Sequence, residues 1–174
     1  MKPILILSLI VLWTFSAFGQ QPREIVLDVN GVGAYASYAT VLKKLGKPSS
    51  STPLRRSEPG EDCAPTPETT VSLDYPGLSL NLQGDGDGRK IKVMGFFVKS
   101  KKWNVSGVFV GATVKEVLAK FGAPIGGDPT QELSKTNGKN VLNFAYPVKG
   151  SSAALTFKFE DDKLAEISWE DEDC

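Results

Sequence analysis

Residues 103–124 read WNVSGVFVGATVKEVLAKFGAP, and their reading decides the fold. Thr113 is placed to cap a helix, and Glu116 three residues on completes a capping box. Val114, Val117, Leu118 and Phe121 follow at i, i+3, i+4 and i+7, one face of a helix. Gly122 is the expected C-cap glycine, and Pro124 stops continuation. The segment therefore predicts a helix of two to three turns. Such a helix is marginal alone and must pack its apolar stripe on another element.

Working outward, the same text occurs earlier. Residues 27–48 read LDVNGVGAYASYATVLKKLGKP, offset by 76 without a gap and identical at 9 of 22 positions. Gly31 matches Gly107, Val41-Leu42 matches Val117-Leu118, Gly46 matches Gly122 and Pro48 matches Pro124. Ser37 takes the capping role, followed by Tyr38, Val41, Leu42 and Leu45. A fixed period of this kind predicts an internal duplication.

Each helical element precedes runs of β-forming residues: 70–75, 78–83 and 90–99, then 141–146, 153–160 and 163–170. Leu78, Leu80 and Leu82 alternate with Ser79, Asn81 and Gln83; Leu155, Phe157 and Phe159 alternate with Thr156 and Lys158. A period of two marks half-buried antiparallel strands. The last strands align at an offset of 73 or 74. The expected fold is α+β: two tandem repeats, each a short helical element packed on an antiparallel meander of three or four strands. The repeats span 20–105 and 106–174. Residues 49–69, rich in Pro and Ser, are expected to be a long loop without helix or sheet.

The first 19 residues fall outside that period. Met1-Lys2-Pro3 is a short positive start, Ile4 to Trp13 is almost continuously apolar, and Ala17-Phe18-Gly19 has cleavage-site residues. This pattern predicts a signal peptide and an exported protein, periplasmic or secreted. Removing it leaves 155 residues, and no later apolar run approaches the ~20 residues of a membrane span. In an oxidising compartment the two cysteines, Cys63 and Cys174, are most simply one disulfide; two free thiols or an intermolecular link are the alternatives.

Composition narrows function. There is no histidine, which excludes Ser-His-Asp and Cys-His catalysis and removes the commonest zinc ligand. The formal net charge of zero leaves no nucleic-acid footprint. Charge does separate along the chain: residues 20–105 carry a net +3 and residues 106–174 a net −4.

The element Gly111-Ala112-Thr113-Val114-Lys115-Glu116-Val117-Leu118-Ala119-Lys120-Phe121-Gly122-Ala123-Pro124, followed by a meander, resembles the β-lactamase-inhibitor-protein-like fold. It is also similar to the small lipoprotein of the outer-membrane β-barrel assembly machine. Two tandem copies resemble the inhibitor's own layout. The inhibitor pattern has a disulfide in each repeat, whereas this chain has two cysteines in all, and the lipidated cysteine of the assembly protein has no counterpart. The resemblance implies a fold and a protein-binding role in the envelope, and transfers no contact residue.

Candidate binding residues follow. Asp85 and Asp87, in Gln83-Gly84-Asp85-Gly86-Asp87-Gly88, suit a tight turn, a partner-contacting tip or part of a calcium site. Trp103, Tyr75, Tyr146 and Trp169, with Phe96 and Phe97, are candidate binding aromatics, against the ordinary alternative of core packing. The acidic stretches at 160–162 and 170–173 read as a solvated turn and tail rather than an acid/base pair. The expectation is an exported, non-catalytic module without cofactor or metal that binds another envelope or secreted protein, possible inhibition included. The alternatives are an envelope assembly accessory and a calcium or small-ligand module.

Overall fold

A computed structural model describes residues 22–52, 55–56, 68–85, 90–126, 134–136 and 138–171. The predicted signal segment, Cys63, Asp87 and Cys174 lie outside the described residues, as does the Asp85 side chain.

Both helices form where their caps predict: α1 over Tyr38–Leu45 and α2 over Val114–Phe121. The Ser37 hydroxyl accepts from the Thr40 amide at 3.2 Å. The Thr113 hydroxyl accepts from the Glu116 amide at 3.2 Å, and the Glu116 carboxylate accepts from the Thr113 amide at 2.6 Å. Those hydrogen bonds hold the Glu116 carboxyl below its ordinary pKa. The helices end at Gly46 and Gly122, whose φ angles of 78° and 79° favour glycine. Each glycine amide donates to a carbonyl of the last turn, that of Leu42 or Leu118.

The strands are β1 (Asp28–Val29), β2 (Val32–Gly33), β3 (Ser50–Ser51), β4 (Arg55–Arg56), β5 (Glu68–Tyr75), β6 (Leu78–Asp85), β7 (Lys92–Val98), β8 (Ser134–Thr136), β9 (Lys139–Pro147), β10 (Ala154–Glu160) and β11 (Lys163–Glu170). β1 and β2 form a small ribbon. The other nine make one antiparallel sheet in the order β3-β5-β6-β7-β11-β10-β9-β8, with β4 also pairing β5. The meanders β5-β6-β7 and β9-β10-β11 join where β7 meets β11, from Gly95–Glu170 to Val98–Ile167. The fold is thus α+β, with two helices among the described residues on a mainly antiparallel sheet.

The reading of 49–69 as a loop without sheet is corrected over its described part. Ser50–Ser51 and Arg55–Arg56 pair with β5. The amides of Ser49 and Thr52 donate to the carbonyls of Asp74 and Ser72 at 2.8 and 3.0 Å. An edge strand of this kind is held by backbone pairing and by short polar side chains, such as the Thr52 hydroxyl that accepts from the Ser72 amide at 2.8 Å, so hydropathy alternation carries no trace of it.

Several contacts occur in both halves. Tyr35 and Ala36 exchange backbone hydrogen bonds with Val93, and Gly111 and Ala112 do the same with Leu164. Tyr75 donates its phenol to the Gly46 carbonyl at 3.0 Å, and Tyr146 donates to the Gly122 carbonyl at 2.9 Å. The Gly31 amide meets Asp28 Oδ1 at 2.9 Å, and the Gly107 amide meets Asn104 Oδ1 at 2.6 Å. β6 and β10 each carry one register shift, after Asn81 and after Lys158. The two helices begin 76 residues apart, whereas the similarly bonded Val93 and Leu164 lie 71 apart.

One hydrophobic cluster joins the helices to one face of the sheet, from Val41 and Val117 to Leu73, Leu80, Phe96, Phe157 and Trp169. The two halves also cross at Val29 and Val105, which form a bridge beneath the helical elements. Replacing Thr113 with alanine removes a cap and the partner of Glu116, and is expected to cost about 1 kcal/mol. Ser37→Ala, which breaks a cap without a reciprocal carboxylate, is expected to cost less. Urea denaturation of both variants checks the order.

Candidate binding surface

Strand alternation sends one set of side chains to the core and the other to the opposite, helix-free face. That face carries Thr70, Ser72 and Asp74 from β5, Ser79, Asn81 and Gln83 from β6, Phe97 from β7, Ser168 and Glu170 from β11, and Thr156 and Lys158 from β10. One row of paired residues runs across it: Ser50, Asp74, Ser79, Phe97, Ser168, Thr156 and Ala145. Phe97 stands at its centre, half-buried, while Phe96 beside it in sequence is 1% exposed in the core.

The charges of this face are largely matched within it. Lys99 pairs with Glu166 at 2.9 Å, and Glu160 with Lys139 at 2.6 Å and more loosely with Lys158. The hydrogen bond and charge of Lys139 hold the Glu160 carboxyl below its ordinary pKa, and Glu160 in turn raises that of Lys139. Both groups are solvated, so the pair adds little stability. Asn81 donates to Glu170 at 3.3 Å and accepts from Ser72 at 3.1 Å; Asp74 accepts from Ser79 at 2.7 Å and Ser50 at 3.1 Å. The result is a broad polar surface of short side chains around one aromatic ring.

Most of the predicted binding aromatics lie elsewhere. Tyr146 and Trp169 are 0% and 1% exposed, and Tyr75 is buried as well. Burial lifts the Tyr146 phenol to about 12 and also raises that of Tyr75. As binding-surface residues these three are corrected: each small half needs large rings in its core, and the phenols are tied to helix-end carbonyls. Trp103 is half-buried; its ring meets Tyr75 edge-on at 5.8 Å and its indole N–H donates to the Pro76 carbonyl at 3.0 Å. Asp85 sits at the end of β6. Nothing brings Trp103, Tyr75, Tyr146 and Trp169 together at a surface. Phe97 is the ring on the helix-free sheet face, whereas the more exposed Phe109 and Tyr38, at 44% and 39%, lie outside the strands; the alternation between Phe96 and Phe97 was its only sequence signal.

A residue the acidic-tail reading missed is Asp171, which is 4% exposed. Its carboxylate accepts from Tyr35, from Ser151 at 2.7 Å and from Ser152 at 2.9 Å. Trp169 donates its indole N–H to the Ser151 hydroxyl at 3.2 Å and packs edge-on against Tyr35 at 5.7 Å. Desolvation pushes the Asp171 carboxyl upward, but the three hydroxyl donors outweigh it and hold the pKa below the ordinary value. Period-two burial at Ile167, Trp169 and Asp171 is the signal that would have placed it inward. The cluster pins the β9–β10 connection to the end of β11.

Two open cavities lie on the helix-bearing side. One, of about 390 Å³, runs from Tyr38 and Leu42 to Ser49–Ser51. The other, of about 370 Å³, is lined by Val114, Asn140, Leu142, Phe159, Asp161 and Asp162. Among the described residues no helix is long and apolar enough to cross a membrane.

No protein-family model matches the chain. No curated protein matches it either. Among solved structures, it is similar to the crystal structure of an extracellular protein containing a SCP domain from Bacillus anthracis. The TM-score is 0.46 and the identity 14%, over 80% of this chain and 44% of that one.

Asp171 generates a pH prediction. A carboxyl whose folded pKa lies below its unfolded value contributes stability that is present above the ordinary carboxylate range and lost as pH falls through the folded pKa. Asp171→Asn is therefore expected to lower the urea midpoint at neutral pH, and the gap to wild type is expected to shrink below about pH 4. A gap that stays constant with pH contradicts the assignment.

Proposed function

We propose that this protein is an exported, non-catalytic binding module that docks another envelope or secreted protein on its helix-free sheet face. The observation that carries the reading is the face itself. β5, β6, β7, β11, β10 and β9 run side by side without a break, and no helix of the described residues covers that side. Phe97 at its centre offers a desolvatable anchor, and the surrounding Ser, Thr and Asn side chains supply adaptable hydrogen bonds. The resemblance to β-lactamase-inhibitor-like proteins points the same way, with inhibition of an enzyme as one form the binding takes.

The architecture behind it we read as a tandem duplication of one α+β unit. The 76-residue period and the matched contacts of Tyr75 with Gly46 and Tyr146 with Gly122 support that reading. The leader-like pattern at 1–19 supports export.

Photocrosslinking in the native host tests the docking face. A photoreactive residue at 97, 156 or 81 is expected to capture one common protein, and a probe at exposed Lys115 on α2 is not. Phe97→Ala is expected to weaken that complex by about 2 kcal/mol, the scale of an interface hot spot. Equal capture from the helix side, or none from the sheet face, sinks the reading. Mass measurement of the purified native protein is expected to show a chain beginning at Gln20, with Cys63 and Cys174 oxidised to one disulfide.

A further inference from the structure

The 370 Å³ cavity beside α2 lies where, in the first half, the buried side chain of Ile91 is found. Thr113 bridges Lys163 just as Ser37 bridges Lys92. By that correspondence Asp162 stands where Ile91 stands, Val114 where Tyr38 stands, and Leu142 where Val71 stands. In the first half Ile91 is 8% exposed and belongs to the core with Val71 and Leu82, and its carbonyl accepts from the Tyr38 amide at 3.1 Å.

In the second half the hairpin is shorter. It turns at Asp161 and Asp162, both with positive φ (47° and 65°) as a two-residue hairpin turn requires. The aliphatic plug is thereby replaced by an exposed carboxylate. Val114 and Leu142 stay half-buried around the opening, with Phe159 beneath. Asp161 accepts from the Asn140 amide at 3.1 Å and lies near Lys139. Among the described residues no hydrogen bond or ion pair reaches the Asp162 side chain.

We infer that this cavity receives an aliphatic side chain flanked by basic residues, presented by a partner protein. The first half supplies the template: its plug is Ile91, set between Lys90 and Lys92. The apolar floor accepts the branched side chain, and Asp161 and Asp162 at the rim complement the flanking ammonium groups. Its volume lies within the ~300–1,000 Å³ of ordinary binding pockets. The site is on the helix-bearing side, so it is separate from the open sheet face, and its failure leaves the crosslinking result untouched.

The test uses the full chain and the peptide acetyl-Lys-Ile-Lys-amide, followed by methyl NMR. Saturable shifts are expected at the Val114 and Leu142 methyls. The same peptide with aspartate in place of isoleucine is expected to bind at least about tenfold more weakly, the scale of burying one aliphatic side chain. Val114→Tyr copies the residue of the first half and is expected to abolish the shifts while the melting midpoint is retained. Asp162→Asn, in an exposed turn, is expected to weaken binding about threefold and flatten its salt dependence. Absence of saturable shifts overturns the inference, as does unchanged affinity in both variants. Shifts that depend on protein concentration without peptide assign the cavity to a second copy of the chain, which also overturns it.

Discussion

The pairing of β7 with β11 is the constraint on which the rest of the structure depends. Four residue pairs, from Gly95–Glu170 to Val98–Ile167, fuse two meanders into one sheet. Each meander with its eight-residue helix is too small to bury a comfortable core alone. Phe96 and Trp169 are directly opposite in the junction, and their rings pack 6.1 Å apart on the core side. Phe97 and Ser168 are opposite in the next pair and point the other way. The same four pairs therefore close the core and make the outer face continuous. Within the core, the Val29–Val105 bridge ties the segment before α1 to the segment before α2.

Against this matched background the differences between the halves stand out. β5 and β6 are joined tightly at Pro76-Gly77, whereas the β9–β10 connection spans 148–153. The added residues include Ser151 and Ser152, two of the three hydroxyl donors that offset the cost of burying Asp171. Conversely, the β10–β11 turn at Asp161-Asp162 is shorter than the β6–β7 connection, and the 370 Å³ cavity lies beside it. Matched contacts build the scaffold, and unequal hairpins build the individual sites.

Much of the scaffold was legible in the sequence. Thr113 with Glu116, and the glycines at 46 and 122, announce their helices because capping is local chemistry. Leu78, Leu80 and Leu82 announce their strand because one face is wet. The β7–β11 junction left no such trace, since pairing between residues some 70 positions apart depends on the partner strand and not on local propensity. The aromatics failed as site markers for a related reason. Tyr75 and Tyr146 look amphipathic in sequence, but their hydroxyls are consumed by the Gly46 and Gly122 carbonyls inside the fold. Asp171 was hidden in an acidic run whose composition suggests solvent. Only its phase with Ile167 and Trp169 betrays the inward direction.

Among the described residues the sheet has two short edges. One is shared between Ser50–Ser51 and Arg55–Arg56, and the other is the three-residue β8. Short and interrupted edges offer too few backbone groups in register for strand addition. On the proposed reading, recognition through the sheet is directed to side chains on its face. There the internal ion pairs, Lys99 with Glu166 and Lys139 with Glu160, hold long side chains in place and limit promiscuous charge attraction. On the docking reading proposed above, a partner has to match shape and hydrogen bonding around Phe97. A face built this way favours selectivity over indiscriminate adhesion.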